Sequence, residues 1–272
     1  MSSPVVAVRP ASTVAGARKI MLRRRIKHLA VLERGRVVGV ISMRDIVNCL
    51  MRELRARSLR PLEGIPVANL MSKGVVCVSN GTALEKAARI MQERGVGSVL
   101  VMNGERVIGI VTETDLVRAL PEKAGGRRVG EVMGGDCVRV GRRHSVSHVM
   151  KVMQEARAKG AVVVEGERPI GVITDADIVF AVESWAGGGR MVRYTRRIER
   201  AGRPMARHVR EVFPAVAEDL MRKDFVTVQA GESVGAAASI MLREKLDILP
   251  VMEGERMVGV LTKGDLVRAL YG

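Results

Sequence analysis

Aromatic side chains are nearly missing from this 272-residue chain. Three Phe, two Tyr and one Trp make up 2% of it, and all six stand at or after position 180 (Phe180, Trp185, Tyr194, Phe213, Phe225, Tyr271). Any core before that point must be built from Val, Ile, Leu, Met and Ala. The stacking platforms of single-strand nucleic-acid binders are equally scarce. Cysteine is sparse too: Cys49, Cys77 and Cys137 form no C-x-x-C pair. That excludes a disulfide framework and a zinc knuckle, and it suits a reducing compartment. Cys77 and Cys137 fall in strand-like runs and read as small core residues. No uninterrupted apolar stretch approaches the ~18 residues of a membrane helix. Met1-Ser2-Ser3-Pro4 begins no basic-then-apolar leader. With 47% hydrophobic and 27% charged residues, global disorder and collagen-like structure are excluded. The expectation is a cytoplasmic protein of one or two domains with no membrane association.

Positive charge is what the chain has in excess. Lysine and arginine number 45 against 29 acids, a net charge of +16. The surplus is local: residues 1–60 carry 14 basic and 3 acidic groups, and residues 181–216 carry 8 and 3. The rest is close to neutral. Arginine outnumbers lysine 35 to 10, which fits a thermophilic source or GC-rich coding equally.

Internal repetition organises everything else. GERVIGIVT (104–112), GERPIGVIT (166–174) and GERMVGVLT (254–262) are variants of one phrase, and RGRVVGVIS (34–42) is a fourth. Each runs on to an aspartate three residues later: Asp45, Asp115, Asp177 and Asp265. A strand-like valine stands 31 residues before each glycine, pairing Val8 with Gly39, Val78 with Gly109, Val140 with Gly171 and Val228 with Gly259. Helical apolar pairs recur at one offset: Ile20-Met21, Ile90-Met91, Val152-Met153 and Ile240-Met241. Each unit reads as β-α-β-β-α: a short β-branched strand, a helix, a hairpin of two buried strands and a closing helix. An apolar-Met lead-in precedes three units (Leu70-Met71, Val132-Met133, Leu220-Met221), and the first unit shows none.

The Ser/Thr-x-x-Asp step that opens each closing helix can be a plain capping box, worth about 1 kcal/mol. Its fourfold recurrence after an apolar strand and a glycine suggests more. The glycine permits close backbone approach, the helix N-terminus favours an anion, and the Asp can accept from paired ribose hydroxyls. Phosphate at the cap and ribose at the acid describe a nucleotide site.

With these motifs assembled, the chain resembles the cystathionine-β-synthase (CBS) domain family over essentially its whole length. The resemblance implies an α/β fold of four CBS repeats (about 1–52, 68–120, 129–182 and 217–272) forming two Bateman modules, 1–120 and 121–272, in a pseudo-symmetric disk. It implies a stand-alone sensor that binds AMP, ADP, ATP or S-adenosylmethionine between repeats, requires no cofactor and signals to an unknown protein target as a monomer or homodimer. The family's ribose acid maps onto Asp45, Asp115, Asp177 and Asp265. Its cap hydroxyl maps onto Ser42, Thr112, Thr174 and Thr262. Similarity to the γ subunit of AMP-activated protein kinase marks Lys27, His28 and Lys159 as phosphate candidates. Arg44 and Lys263 inside the cap motifs join them, whereas Glu113 and Asp175 would repel a polyphosphate. The clefts are therefore expected to be unequal, with the first repeat the best phosphate site.

The segment 183–216 reads as an Arg-rich linker helix, amphipathic and bent at Pro204. Arg193, Arg196, Arg197 and Arg200 on it are candidates for contact with RNA, DNA or another polyanion, which makes a nucleic-acid-associated protein the alternative function. His144 and His148 are an i, i+4 pair without a third ligand, so no metal is expected. No nucleophile–base constellation or phosphate-binding glycine loop appears, and no enzymatic activity is expected.

Overall fold

The computed structural model describes residues 1–55, 62–119, 126–134, 137–186, 191–200, 203–212 and 216–269, with only the backbone of 54–55, 182–186 and the two strands after 190. Each repeat opens with a brief strand: Ala7–Val8, Cys77–Ser79, Arg139–Gly141 and Val228–Gln229. A first helix follows: Val14–Arg24, Leu84–Glu93, Val146–Glu155 and Val234–Arg243. Its inward stripe buries the recurrent methionine, as Met21, Met91, Met153 or Met241. The hairpins are His28–Glu33 with Arg36–Ser42, Ser98–Asn103 with Arg106–Thr112, Gly160–Glu165 with Arg168–Thr174, and Ile248–Glu253 with Arg256–Thr262. The opening strand lies parallel to the first hairpin strand, so each repeat makes one three-stranded sheet. The closing helices are Met43–Arg55, Glu113–Arg118, Asp175–Ala186 and Lys263–Arg268. Among the described residues, no helix is long and apolar enough to cross a membrane.

The repeats join by two alternating kinds of interface. Sheets meet between repeats one and two, burying Ala30, Leu100 and Ile110, and between three and four, burying Val162, Val172, Ile248, Met257 and Val260. Helices meet between repeats one and three and between two and four, where the closing helices pack on each other and on first helices. Those contacts make the two large cores. Arg18, buried in the first core, extends from repeat one and donates to the carbonyls of Val179 (2.7 Å) and Phe180 (3.0 Å) of repeat three. Four units linked sheet to sheet and helix to helix close a pseudo-symmetric disk.

Within each sheet-joined pair the lead-ins are exchanged. Ser72 of repeat two bridges Val40 of repeat one, and Ser2 of repeat one bridges Ile110 of repeat two. Gly134 bridges Val260 and Arg222 bridges Val172 in the same way. The methionine just before each bridge lies over the partner's phrase glycine. A Cβ at Gly39 would stand 2.7 Å from Met71 Sδ, and one at Gly171 would stand 2.7 Å from Met221 Sδ. At Gly259 it would meet the Gly134 carbonyl oxygen at 2.9 Å and Met133 Sδ at 3.0 Å. At Gly109 the neighbour is Met1 Sδ, at 2.6 Å. The reading that the first repeat has no lead-in is thereby corrected: Met1 stands seven residues before Val8, as Met71 does before Val78.

Two other expectations are overturned. The Arg-rich segment is no helix: Met191–Arg200 and Arg203–Val212 form an antiparallel hairpin, with Met191 opposite Val212 and Arg200 opposite Arg203. A helix through this stretch would carry Gly202 and Pro204 in its interior, at about 1 and 3 kcal/mol. Val192, Tyr194, Thr195, Ile198, Val209 and Val212 favour strands instead. Cys77 is exposed rather than a core residue, because the alternation of its strand points Val78 inward. Cys137 is half-buried against the cluster joining repeats three and four.

The close approach over the phrase glycines makes a stability prediction. Gly259→Ala forces a methyl onto a backbone carbonyl that cannot yield, so a loss of about 1–3 kcal/mol is expected in urea unfolding. Gly231→Ala, where a methyl meets nothing within 4 Å, is expected to change stability by less than about 0.5 kcal/mol.

Candidate functional site

In each cap motif the carboxylate divides its two oxygens. Oδ2 of Asp45 accepts from the Ser42 backbone N–H at 2.7 Å and the Ser42 hydroxyl at 2.6 Å. Thr112–Asp115 repeats this at 3.0 and 2.8 Å, Thr174–Asp177 at 2.7 and 2.6 Å, and Thr262–Asp265 at 2.7 and 2.7 Å. The carboxylate half of the capping box is therefore made four times over, with the returning N–H to hydroxyl bond at Ser42 and Thr262, and it immobilises an acid whose Oδ1 takes no part in these bonds. At Asp115, Oδ1 is paired with Arg118 (3.3 Å) and with the Met1 amino group (3.5 Å). At Asp177 it faces Arg222 Nε at 3.5 Å. At Asp265 the exposed Arg268, one helical turn on, reaches it. Asp45 Oδ1 has no hydrogen-bond or ion-pair partner among the described residues.

Cavities lie at the motifs of Asp265 and Asp45. One, of about 630 Å³, is lined by Thr262 and Asp265 together with Gly134, Gly97, Glu113 and Lys159. The other, of about 340 Å³, is lined by Ser42 and Asp45 with Ser72, Lys27, His28 and Arg44. Both fall in the size range of small-molecule sites. Neither is lined by Asp115 or Asp177. Gly97, Glu113 and Lys159 line both cavities, so the two meet at one wall.

That wall belongs to a charged junction where all four repeats converge. Lys27 of repeat one pairs with Asp247 of repeat four, and Lys159 of repeat three pairs with Glu113 of repeat two. Arg44 of repeat one meets Asp175 of repeat three at 2.9 Å and donates to the Ala158 carbonyl at 2.8 Å. Lys263 reaches Asp247 at 3.1 Å and donates to the Thr114 hydroxyl at 3.1 Å. Burial pushes the Asp45 carboxyl up despite its bonds from Ser42, and it pushes Asp175 up despite Arg44. Burial also acts on Asp247, but Lys27 and Lys263 outweigh it and hold that carboxyl below the usual range. His28 is pushed down to about 4, by burial first and then by Lys27 and Lys159.

The fold thus brings Lys27, His28, Arg44, Lys159 and Lys263 into one neighbourhood, but with their charge already engaged. The expectation for repeat one treated Lys27, His28 and Arg44 as free cations, whereas two are paired across repeats and His28 is neutral near pH 7. Glu113, Asp175 and Asp247 serve as their counterions. Opposite charge at matching repeat positions, Lys27 and Lys159 against Asp247, was the signal in the sequence for such pairing. The residues after the lead-in methionines (Ser72, Gly134, Arg222) also sit at the cap motifs, and only the exchange of lead-ins puts them there. Arg193, Arg196, Arg197 and Arg200 lie on the hairpin, and their side chains fall outside the described residues. His144 and His148 stack edge to face with centroids 4.5 Å apart, and His144 Nδ1 accepts from the Gly141 N–H. Among the described residues no cluster of three metal-ligating side chains occurs.

A family model for the CBS domain matches residues 1–52, 67–122, 129–184 and 216–272. Protein MJ1225 of Methanocaldococcus jannaschii is 25% identical over 278 residues, covering 97% of this chain and 94% of its own. A 33.4 kDa protein in the ribosomal RNA operon of Thermofilum pendens is 26% identical over 277 residues, covering 98% and 88%. The solved structure of MJ1225 superposes with a TM-score of 0.81 at 22% identity, covering 98% of this chain and 96% of that one. A conserved protein of Pyrococcus horikoshii superposes with a TM-score of 0.63 at 19% identity, covering 99% and 97%. At those identities the superpositions speak for the fold.

The junction makes stability depend on acid. His28 stays neutral in the fold down to about pH 4, while in the unfolded chain it protonates near 6.5. Its contribution is fully present above pH 6.5 and is lost as pH falls toward 4. Asp45 and Asp175, raised by burial, act in the opposite sense. Urea unfolding at pH 7 and 4.5 is expected to show the parent losing about 2 kcal/mol more than His28→Gln, since the amide never charges. An equal loss in both proteins would refute the assignment.

Proposed function

This chain belongs to the CBS domain family, and we propose that it is a non-catalytic regulatory protein that binds adenosyl ligands at Asp45 and Asp265. The observation that carries this reading is the division of labour in those two acids. One oxygen of each is locked by the cap hydroxyl and N–H, and the residue borders a ligand-sized cavity that reaches cations from other repeats. A ribose diol donating to the second oxygen would put the phosphate side of the ligand toward the charged junction. The Asp265 cavity is the larger, and its lining holds Lys159, Arg157 and Arg268 against Glu113 and Asp265. The Asp45 cavity balances Lys27, Arg44, Lys159 and Lys263 against four carboxylates. The phosphorylated ligands therefore favour the Asp265 cleft, in place of the first-repeat preference read from the sequence.

Signalling follows from the pairing. Lys27, Arg44 and Lys159 are each held by a carboxylate of a different repeat, and a phosphate competes for them. Ligand binding then favours the arrangement in which these cross-repeat pairs are loosened. A protein partner that binds one arrangement better than the other reads the ligand level, because linkage runs both ways.

Calorimetric titration with AMP, ADP, ATP and S-adenosylmethionine tests the reading. At least one of these is expected to bind at two sites. Asp45→Asn and Asp265→Asn are each expected to weaken one site about 10- to 100-fold, the worth of a hydrogen bond to a charged group. Absence of binding by all four ligands, or binding unchanged in the double variant, would overturn it.

A further inference from the structure

The residue after each lead-in methionine sits beside the ribose acid of the partner repeat. At the Asp265 cleft it is Gly134, where a Cβ would stand 3.8 Å from Asp265 Oδ1 and 3.9 Å from Oδ2. Any side chain there would start its path against the carboxylate. At the Asp45 cleft the same position is Ser72, which lines the cavity with Asp45. At the Asp177 cleft it is Arg222, whose guanidinium Nε lies 3.5 Å from Asp177 Oδ1.

We infer that Arg222 is a built-in plug, an arginine that closes the Asp177 cleft to adenosyl ligands by presenting its own donors to the oxygen a ribose diol would use. The assignment rests on the function proposed above. Three observations carry it. Asp177 keeps the same locked geometry as the open-cleft acids, with Thr174 donating at 2.7 and 2.6 Å, so the acid itself is intact. The cleft glycine, Gly171, is covered by Met221 in the usual way, so the backbone frame is intact too. Asp265 Oδ1 also meets an arginine, but Arg268 is an exposed side chain of the acid's own helix; what differs at Asp177 is a half-buried arginine from the partner repeat, at the position that is Gly or Ser at the open clefts. The Arg222 Nε is buried and makes no hydrogen bond among the described residues. Among the described residues its guanidinium is paired with Asp177 alone, as a space-filling counterion rather than a member of the capping network. Arginine at this position thus sets the Asp177 cleft apart from the Asp45 and Asp265 clefts.

Calorimetry on Arg222→Gly and Arg222→Ser decides the matter, with AMP as the probe and thermal melting to confirm folding. Serine is the residue of the equivalent position at Asp45, so at least one variant keeps a tolerated side chain. The parent is expected to bind AMP at two sites, unchanged in Asp177→Asn. The Arg222 variants are expected to bind a third equivalent, lost again when Asp177→Asn is added. Conversely, Gly134→Arg is expected to remove the Asp265 site. Two sites in the parent and still two in both Arg222 variants would overturn the plug while leaving the proposed function standing. A parent site lost on Asp177→Asn alone would do the same. No binding by the parent or by either variant would overturn both.

Discussion

The exchanged lead-ins are the constraint on which the rest of the molecule depends. A three-stranded sheet with two helices cannot bury its own faces. Each repeat therefore lends its Met-containing segment to the sheet of its neighbour and receives one in return. The contact needs a strand position without a side chain, because methionine sulfur and partner backbone lie where a Cβ would be. That is why Gly39, Gly109, Gly171 and Gly259 recur inside otherwise β-branched strands. The glycine read in the sequence as making room at the mouth of a cleft does make room, and its occupant is the partner repeat.

Pairing by sheets leaves helices outward, and these join pair to pair. The closing helices then meet N-terminus first around one centre, carrying whatever charges their first turns hold. Like charges there would repel in a half-buried space, so the four repeats carry complementary ones: Lys27 and Lys263 around Asp247, Lys159 on Glu113, Arg44 on Asp175. The repeats have diverged in charge while keeping their backbone, and this divergence makes four similar clefts unequal. The excess charge of the chain plays no part in it, since the junction is close to balanced.

Most of the fold was legible because it rests on local patterns repeated four times. Strand, helix, hairpin and cap could be placed from spacing alone, and the acids Asp45, Asp115, Asp177 and Asp265 stand where the cap motif puts them. The failures were of two kinds. In the Arg-rich segment, arginines at helical spacing outweighed Gly202 and Pro204, although a solvated surface imposes no period and the breakers carry the larger energies. In the first repeat, the lead-in was sought as an apolar pair, whereas the contact needs only the methionine, and Met1 supplies it.

The sequence by itself determined the repeat, its β-α-β-β-α order, the glycine and the capping acid, because each follows from φ/ψ preference, side-chain period and hydrogen bonding within a few residues. Only the tertiary structure decided which repeats pair, which cations are spent on carboxylates, and what lines the cavities at Asp45 and Asp265. Those depend on residues far apart in the chain, such as Lys159 and Glu113 or Arg222 and Asp177. Charge and access in a cleft are properties of both walls, and the second wall always comes from another repeat.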